Sequence, residues 1–315
     1  MSTMYQSQWQ AREDRIELRG LTHRVLRWES TESRVDLPIV VLLHGFQDCS
    51  DTYQFLVDAL PRQWRFIGLD WRGFGGSDWQ HGPYWFADYL ADLDALLEQL
   101  SPAEPVRLIG HSMGGNIAGL YAGIRPNRVR YLVSLEGFGL RRAAADTAPQ
   151  RYREWLDQVR QGPRLSRHES VPHLAAALLR RNPRLDPAIA AFVANAWIRP
   201  DATDGNPALH FDPWHRLLNP VLYRREEAEA CWRDICAPVL IALGKESEYR
   251  ERLESDGDLA RFIQCFRNAE VADFDGLGHM LHHEAPVVVA QRLASWMQRQ
   301  DVATDAGFAT LESQS

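Results

Sequence analysis

Ser112 sits in Gly110-His111-Ser112-Met113-Gly114, directly after the apolar run Val106-Arg107-Leu108-Ile109. This is a G-x-S-x-G pattern in the strand-then-turn context that a nucleophilic serine requires. A serine on a sharp strand-to-helix turn holds a strained backbone, and glycines two residues away on either side remove the clashes such a bend creates. The residues after it, Gly115 to Ala122, read as a helix whose N-terminal end brings positive dipole character beneath the hydroxyl. The plainer alternative is a glycine-rich turn that only starts a helix.

A serine hydroxyl is a weak nucleophile, so its partners can be sought by type. It needs a base within hydrogen-bond reach, a carboxylate to hold that base in one tautomer, and two donors for a developing oxyanion. His279 is the candidate base. It lies in Asp275-Gly276-Leu277-Gly278-His279, past the last strand-like run, where small glycines allow a loop to swing a ring over a sheet edge. The candidate oxyanion donors are the backbone N–H groups of Met113 and of Phe46, which follows His44-Gly45 at the end of the run closing in Leu43. His44 itself reads as a brace for that loop. His279 and His283 have the i, i+4 spacing of a metal pair on a helix, but the glutamate of H-E-x-x-H is missing, so neither metal nor cofactor is expected.

The elements that must position these groups follow from periodicity. Arg15–Arg19 and His23–Trp28 alternate polar with apolar, as an antiparallel hairpin does. Pro38–Leu43 is a continuous apolar run, the mark of a strand buried on both faces, and Arg65–Leu69 is a shorter one. Thr52–Leu60 has helical spacing and stops at Pro61. Tyr84–Leu100 is an amphipathic helix with Leu90, Leu93, Leu96, Leu97 and Leu100 on one face and Asp88, Asp92, Asp94 and Glu98 on the other. Further strand-like runs lie at Val129–Leu135, Pro238–Gly244 and Glu270–Phe274. Strands alternating with helices imply a mostly parallel sheet covered on both faces.

From Arg141 to about Arg233 no continuous apolar strand is found. Helical stretches at 173–181 and 188–198, punctuated by Pro172, Pro183, Pro187, Pro200, Pro207, Pro213 and Pro220, with Trp155, Trp197, Trp214 and Trp232 scattered through them, suggest a helical insertion. The chain thus divides into a core at 1–140, a helical cap at 141–233, the rest of the core at 234–300, and a polar tail at 301–315 expected to be disordered. A final helix is expected from about Glu284 to Gln298.

Bulk properties narrow the class. The chain has 315 residues and a net charge of −7, which disfavours a nucleic-acid surface. Cys49, Cys231, Cys236 and Cys265 show no C-x-x-C spacing, which suits free thiols in a reducing compartment. The polar N-terminus lacks a secretory h-region and no run reaches membrane-spanning length, so a cytoplasmic enzyme acting on a small molecule is expected. Oligomeric state is not legible.

Four segments resemble the α/β-hydrolase superfamily, in its capped esterase, lipase and peptidase-like branch. Leu42-Leu43-His44-Gly45-Phe46 is similar to the family's oxyanion strand end, and Asp70-Trp71-Arg72-Gly73-Phe74-Gly75-Gly76-Ser77 to its D-x-R-G-x-G-x-S loop. Gly110–Gly115 resembles the elbow and Gly278-His279 the histidine loop. Phe211-Asp212-Pro213 and Pro220–Arg224 resemble the cap of serine-hydrolase-like proteins. The fold implied is a mostly parallel sheet flanked by helices, with a helical cap inserted after strand six of the family's count.

The resemblance implies a Ser–His–acid hydrolase, and the acid departs from the usual pattern. Most members carry an aspartate three residues after the glycine ending strand seven. Here that glycine is Gly244 and the third residue on is Ser247, flanked by Glu246 and Glu248. The superfamily's second location, the end of strand six, is occupied by Glu136, whose spacing from Ser112 resembles that of haloalkane dehalogenases with a glutamate there. Glu136 is therefore the expected acid, with Glu246 or Glu248 as alternatives and a salt bridge from Glu136 to Arg141 or Arg142 as the structural reading. Asp70 and Arg72 are expected to pair and brace their loop. The implied reaction is hydrolysis of an ester, thioester or amide of a small to medium apolar substrate through an acyl-enzyme on Ser112. The alternatives are C–C bond hydrolysis or cofactor-free perhydrolysis by the same triad, and a non-catalytic ligand-binding member of the fold.

Overall fold

In this computed structural model, which describes residues 4–29, 37–164, 170–200 and 207–312, the apolar runs become the inner strands of one eight-stranded sheet. Its first six strands are β1 (Arg12–Leu18), β2 (Leu21–Trp28), β3 (Ile39–Leu43), β4 (Arg65–Leu69), β5 (Val106–His111) and β6 (Val129–Leu135). After a two-stranded ribbon, β7 (Ile198–Pro200) and β8 (Pro207–Leu209), the sheet is completed by β9 (Val239–Gly244) and β10 (Ala269–Phe274). The order is β1-β2-β4-β3-β5-β6-β9-β10. Only the β1–β2 and β2–β4 pairings are antiparallel, so the carboxyl ends of β3, β5, β6, β9 and β10 share one edge. Ligands of open α/β sheets bind at that edge, and every candidate site residue lies on a loop leaving it or at the start of the helix that follows.

Helices cover both faces. On one side pack α2 (Phe86–Leu100), α3 (Met113–Ile124), α7 (Arg225–Arg233) and α9 (Asp258–Gln264); on the other pack α1 (Gln54–Ala59) and α11 (Pro286–Glu312). The pleat sends Val41 and Leu43 to the first layer and Val40 and Leu42 to the second, all fully buried. The two short helices α8 (Glu248–Ser255) and α10 (Leu281–Glu284) follow loops at the carboxyl edge. The four cysteines are unpaired. Among the described residues no helix is long and apolar enough to cross a membrane.

Between β6 and β9 the chain leaves the sheet and forms α4 (Ala148–Gln161), α5 (Val171–Arg181), α6 (Pro187–Trp197), the β7–β8 ribbon and α7. The segment after β8 fastens this region to the loop beyond β4. Asp212 N–H donates to the Gly73 carbonyl, Gly75 N–H donates to the His210 carbonyl, and Phe74 bridges to Phe211. The Asp212 carboxylate accepts from Tyr84 and caps a short 3-10 helix at Pro213–Arg216. His215 is sandwiched between Phe74 and Tyr84, with ring centroids 3.9 and 3.6 Å away.

Burial pushes His215 down to about 3 and His210 to about 4, so both rings are neutral at neutral pH. The unfolded chain takes up protons on these rings below about 6.5 and the folded chain does not. Acid therefore favours unfolding, and His215 alone removes about 2 kcal/mol between pH 6.5 and 4.5. Urea titrations across that window check this: stability should fall with acid, and the His215→Phe variant should show a shallower dependence. A flat wild-type profile refutes it.

Three expectations need correction. Asp70 and Arg72 do not pair. Asp70 accepts from Ser50, Gly76 and Arg24, whereas Arg72 grips Asp92 with two hydrogen bonds of 2.5 Å. Residues two apart in this turn take opposite sides of the loop, so each meets a different element. Asp92, assigned to the solvent face of α2, is fully buried, with Arg72, Arg19 and His23 around its carboxylate. Burial alone would raise that carboxyl; the bonds from Arg72 and His23 outweigh burial and hold it below the usual range. Finally, the stretch expected as a disordered tail begins as helix, because α11 continues to Glu312. Asp301 is tied down by Trp64 and Arg107, and no glycine or proline interrupts the helix before Gly307. Residues 313–315 lie outside the described residues.

Candidate active site

Ser112 stands between β5 and α3 with φ 50° and ψ −114°, a conformation that L-residues avoid. Two contacts impose it. A Cβ on Gly114 would run into the Leu43 carbonyl, and one on Gly110 would lie 2.5 Å from the Gly114 carbonyl oxygen. The bend is held by the Ser112 N–H, which donates to the Leu135 carbonyl at 2.8 Å. Among the described residues the Ser112 hydroxyl has no hydrogen-bond partner, which leaves it available to the cavity it lines.

Glu136, one residue past β6, is also held at positive φ, 56°, and is 1% exposed. Its Oε1 accepts the Gly244 N–H at 2.7 Å. Its Oε2 accepts from the Ser247 hydroxyl and lies 3.1 Å from His279 Nδ1. With Nδ1 engaged by a carboxylate, Nδ1 carries the proton and Nε2 is the nitrogen left for chemistry. Of the three carboxylates weighed from sequence, only Glu136 meets the histidine. Glu246 and Glu248 are exposed on the cavity rim, and Glu248 pairs with Arg252. Arg141 and Arg142 bond Asp256, Glu226 and Glu229 rather than Glu136.

Two supporting residues escaped the sequence reading. Ser247 stands where the family's usual aspartate would be, and its hydroxyl hydrogen-bonds the carboxylate that arrives from β6 instead. The serine at Gly244 plus three was the visible signal. His111 is the second: its Nε2 donates to the His279 carbonyl at 2.9 Å and so braces the histidine loop from the elbow. Burial holds His111 well below the usual histidine range, which keeps the ring neutral. Tyr249 lies over the His279 ring at 4.3 Å between centroids.

The loop after β3 carries Phe46. His44 Nε2 accepts the Trp71 N–H at 3.0 Å, its Nδ1 donates to the Gly45 carbonyl at 2.8 Å, and its own carbonyl accepts from the Trp71 indole. His44 thus ties the backbone just before Phe46 to the loop after β4, as its position suggested. Two cavities meet at Ser112, sharing Phe46 and Tyr249. One, of about 440 Å³, carries Asp48, Arg181, Asn182, Glu246 and His279. The other, of about 410 Å³, is walled by Trp85, Phe86, Trp155, Trp214, Leu218 and Tyr223, and Met113 lies at its junction with Ser112.

A family model for the alpha/beta hydrolase fold matches residues 38–286, so the chain belongs to the α/β-hydrolase family. Membership supports hydrolase activity. Among curated relatives, the chain is similar to a serine hydrolase-like protein of Danio rerio, 26% identical over 310 residues, covering 90% of this chain and 94% of that one. It is also similar to 2-(acetamidomethylene)succinate hydrolase of Mesorhizobium japonicum, 24% identical over 264 residues, covering 82% and 88%. Among solved structures, the hypothetical protein PA1622 of Pseudomonas aeruginosa PAO1 superposes with a TM-score of 0.77 at 25% identity, covering 91% of this chain and 99% of that one.

Proposed function

We propose that the protein is a serine hydrolase that cleaves an ester, thioester or amide whose acyl part is apolar. The observation that carries the reading is the linked set Glu136–His279 beside an unpartnered Ser112 hydroxyl on a strained turn. His279 Nε2 takes the Ser112 proton as the oxygen attacks the carbonyl, and Glu136 stabilises the imidazolium that forms. The N–H groups of Met113 and Phe46 hold the oxyanion. Nε2 then returns the proton to the leaving group, water attacks the acyl-enzyme with the same histidine as base, and Ser112 is freed.

The two cavities support a division of the substrate. The aromatic chamber suits the acyl chain, because burying apolar surface favours binding by about 25 cal/mol per Å². The cavity with arginine, asparagine and carboxylates suits a polar leaving group and admits water. A panel of p-nitrophenyl esters of increasing chain length, with the matching thioesters and amides, tests the reading. We expect kcat/KM to rise from acetate to medium acyl chains. An enzyme that cleaves none of these esters, thioesters or amides would sink it.

A further inference from the structure

Three buried side chains from three separate segments converge next to the elbow. Asp48 follows the oxyanion loop, His111 precedes Ser112, and His282 lies three residues past His279; they are 5%, 2% and 0% exposed. Each carries a polar atom with no hydrogen-bond partner among the described residues: Asp48 Oδ2, His111 Nδ1, and both ring nitrogens of His282. One ligating atom from each lies within 4.8 Å of the other two. A buried polar atom left unsatisfied is destabilising, so such a concentration calls for an occupant.

The electronic character of these atoms identifies the occupant. His111 Nε2 donates to a carbonyl, so the neutral ring presents a lone pair at Nδ1. Asp48 Oδ1 already accepts from Trp197, Thr52 and the Cys49 N–H, which leaves Oδ2 as a bare acceptor. Two acceptors cannot satisfy each other, and His282 has a third lone pair to turn toward them. A cation satisfies all three. Two imidazoles and one carboxylate form the donor set of zinc and its first-row neighbours, whereas Mg²⁺ and Ca²⁺ want mostly oxygen.

We propose that Asp48, His111 and His282 bind a divalent first-row transition metal of the Zn²⁺ class. The spacing from sequence, His279 with His283, pointed to a different pair and gave no reason to expect an ion. Ligands on a tetrahedral Zn²⁺ sit about 3.4 Å apart, so closing on the ion takes side-chain movements of about 1 Å. Asp48 and His111 also line the 440 Å³ cavity, which provides the entry path and solvent for a fourth position. The site stands independently of the proposed hydrolysis, since its test needs no substrate.

The test is equilibrium dialysis of the full chain against ZnCl₂ with metal analysis, followed by X-ray absorption of the loaded protein. We expect about one Zn²⁺ per chain, with a nitrogen and oxygen shell near 2.0–2.1 Å. MgCl₂ should not compete. Asp48→Asn and His282→Gln should each weaken uptake about 100-fold. No uptake, as when the site holds only water, overturns the proposal. So does a sulfur shell near 2.3 Å, which would assign binding to a thiol such as exposed Cys236. Unchanged affinity in both folded variants overturns it too. If the variants fail to fold, the absorption spectrum of the unaltered chain decides.

Discussion

Treating the protein with a fluorophosphonate should add one adduct per chain, and Ser112→Ala should take none. The same substitution should lower turnover on the order of 10⁴- to 10⁶-fold, because it removes the oxygen on which the proposed acyl-enzyme forms. Unfolding is not a competing explanation. The Ser112 hydroxyl has no hydrogen-bond partner among the described residues, so its removal leaves no buried group unpaired. The turn itself is set by Gly110, Gly114 and the Ser112 N–H, which alanine retains. Circular dichroism and a melting curve should therefore match the parent. An adduct on another residue, or Ser112→Ala retaining turnover, would remove the covalent mechanism and leave a ligand-binding member of the fold as the better description.

Glu136→Gln should cost about 10⁴-fold in kcat with the fold intact. The hydrogen-bond inventory explains the size. The amide oxygen can still accept the Gly244 N–H, and that choice turns the amide NH₂ toward Ser247 and His279. Facing a donor, His279 Nδ1 must present its lone pair, which moves the ring proton to Nε2. A protonated Nε2 cannot take the Ser112 proton, so the base is lost although every heavy atom keeps its place. The neutral amide also no longer stabilises an imidazolium. Introducing Ser247→Asp into the Glu136→Gln background should restore part of the activity, because it returns a carboxylate to the histidine from the β9 side. Near-normal activity in Glu136→Gln would show that this residue is only a structural link between β6 and β9.

The chemistry-bearing pattern around Ser112 was legible because it depends on local geometry. A tight bend demands small neighbours, and glycines at 110 and 114 record that demand in the primary structure. Strand identity was legible for a similar reason, since side-chain alternation and continuous apolar runs follow from the pleat. The partners of charged groups were less so. Asp70 and Arg72 look like a pair when written side by side, yet Arg72 reaches Asp92 on α2 and Asp70 holds Ser50 and Gly76. The far end of α11 was missed because its anchor, Asp301, meets Trp64 and Arg107, more than 190 positions away in the chain.

Residue order alone carried the elbow, the histidine loop and the alternation of strands with helices, all consequences of short-range sterics and periodic burial. Which carboxylate meets His279 was expected from spacing to be Glu136, with Glu246 and Glu248 kept as alternatives. That choice belongs to the folded sheet: β6 and β9 run side by side in a register where Glu136 N–H donates to the Ala242 carbonyl, which aims its carboxylate at Gly244, Ser247 and His279 together. Strand register is a non-local property, set by packing between segments more than a hundred residues apart, so spacing along the chain named Glu136 as a candidate and the register brought it to His279.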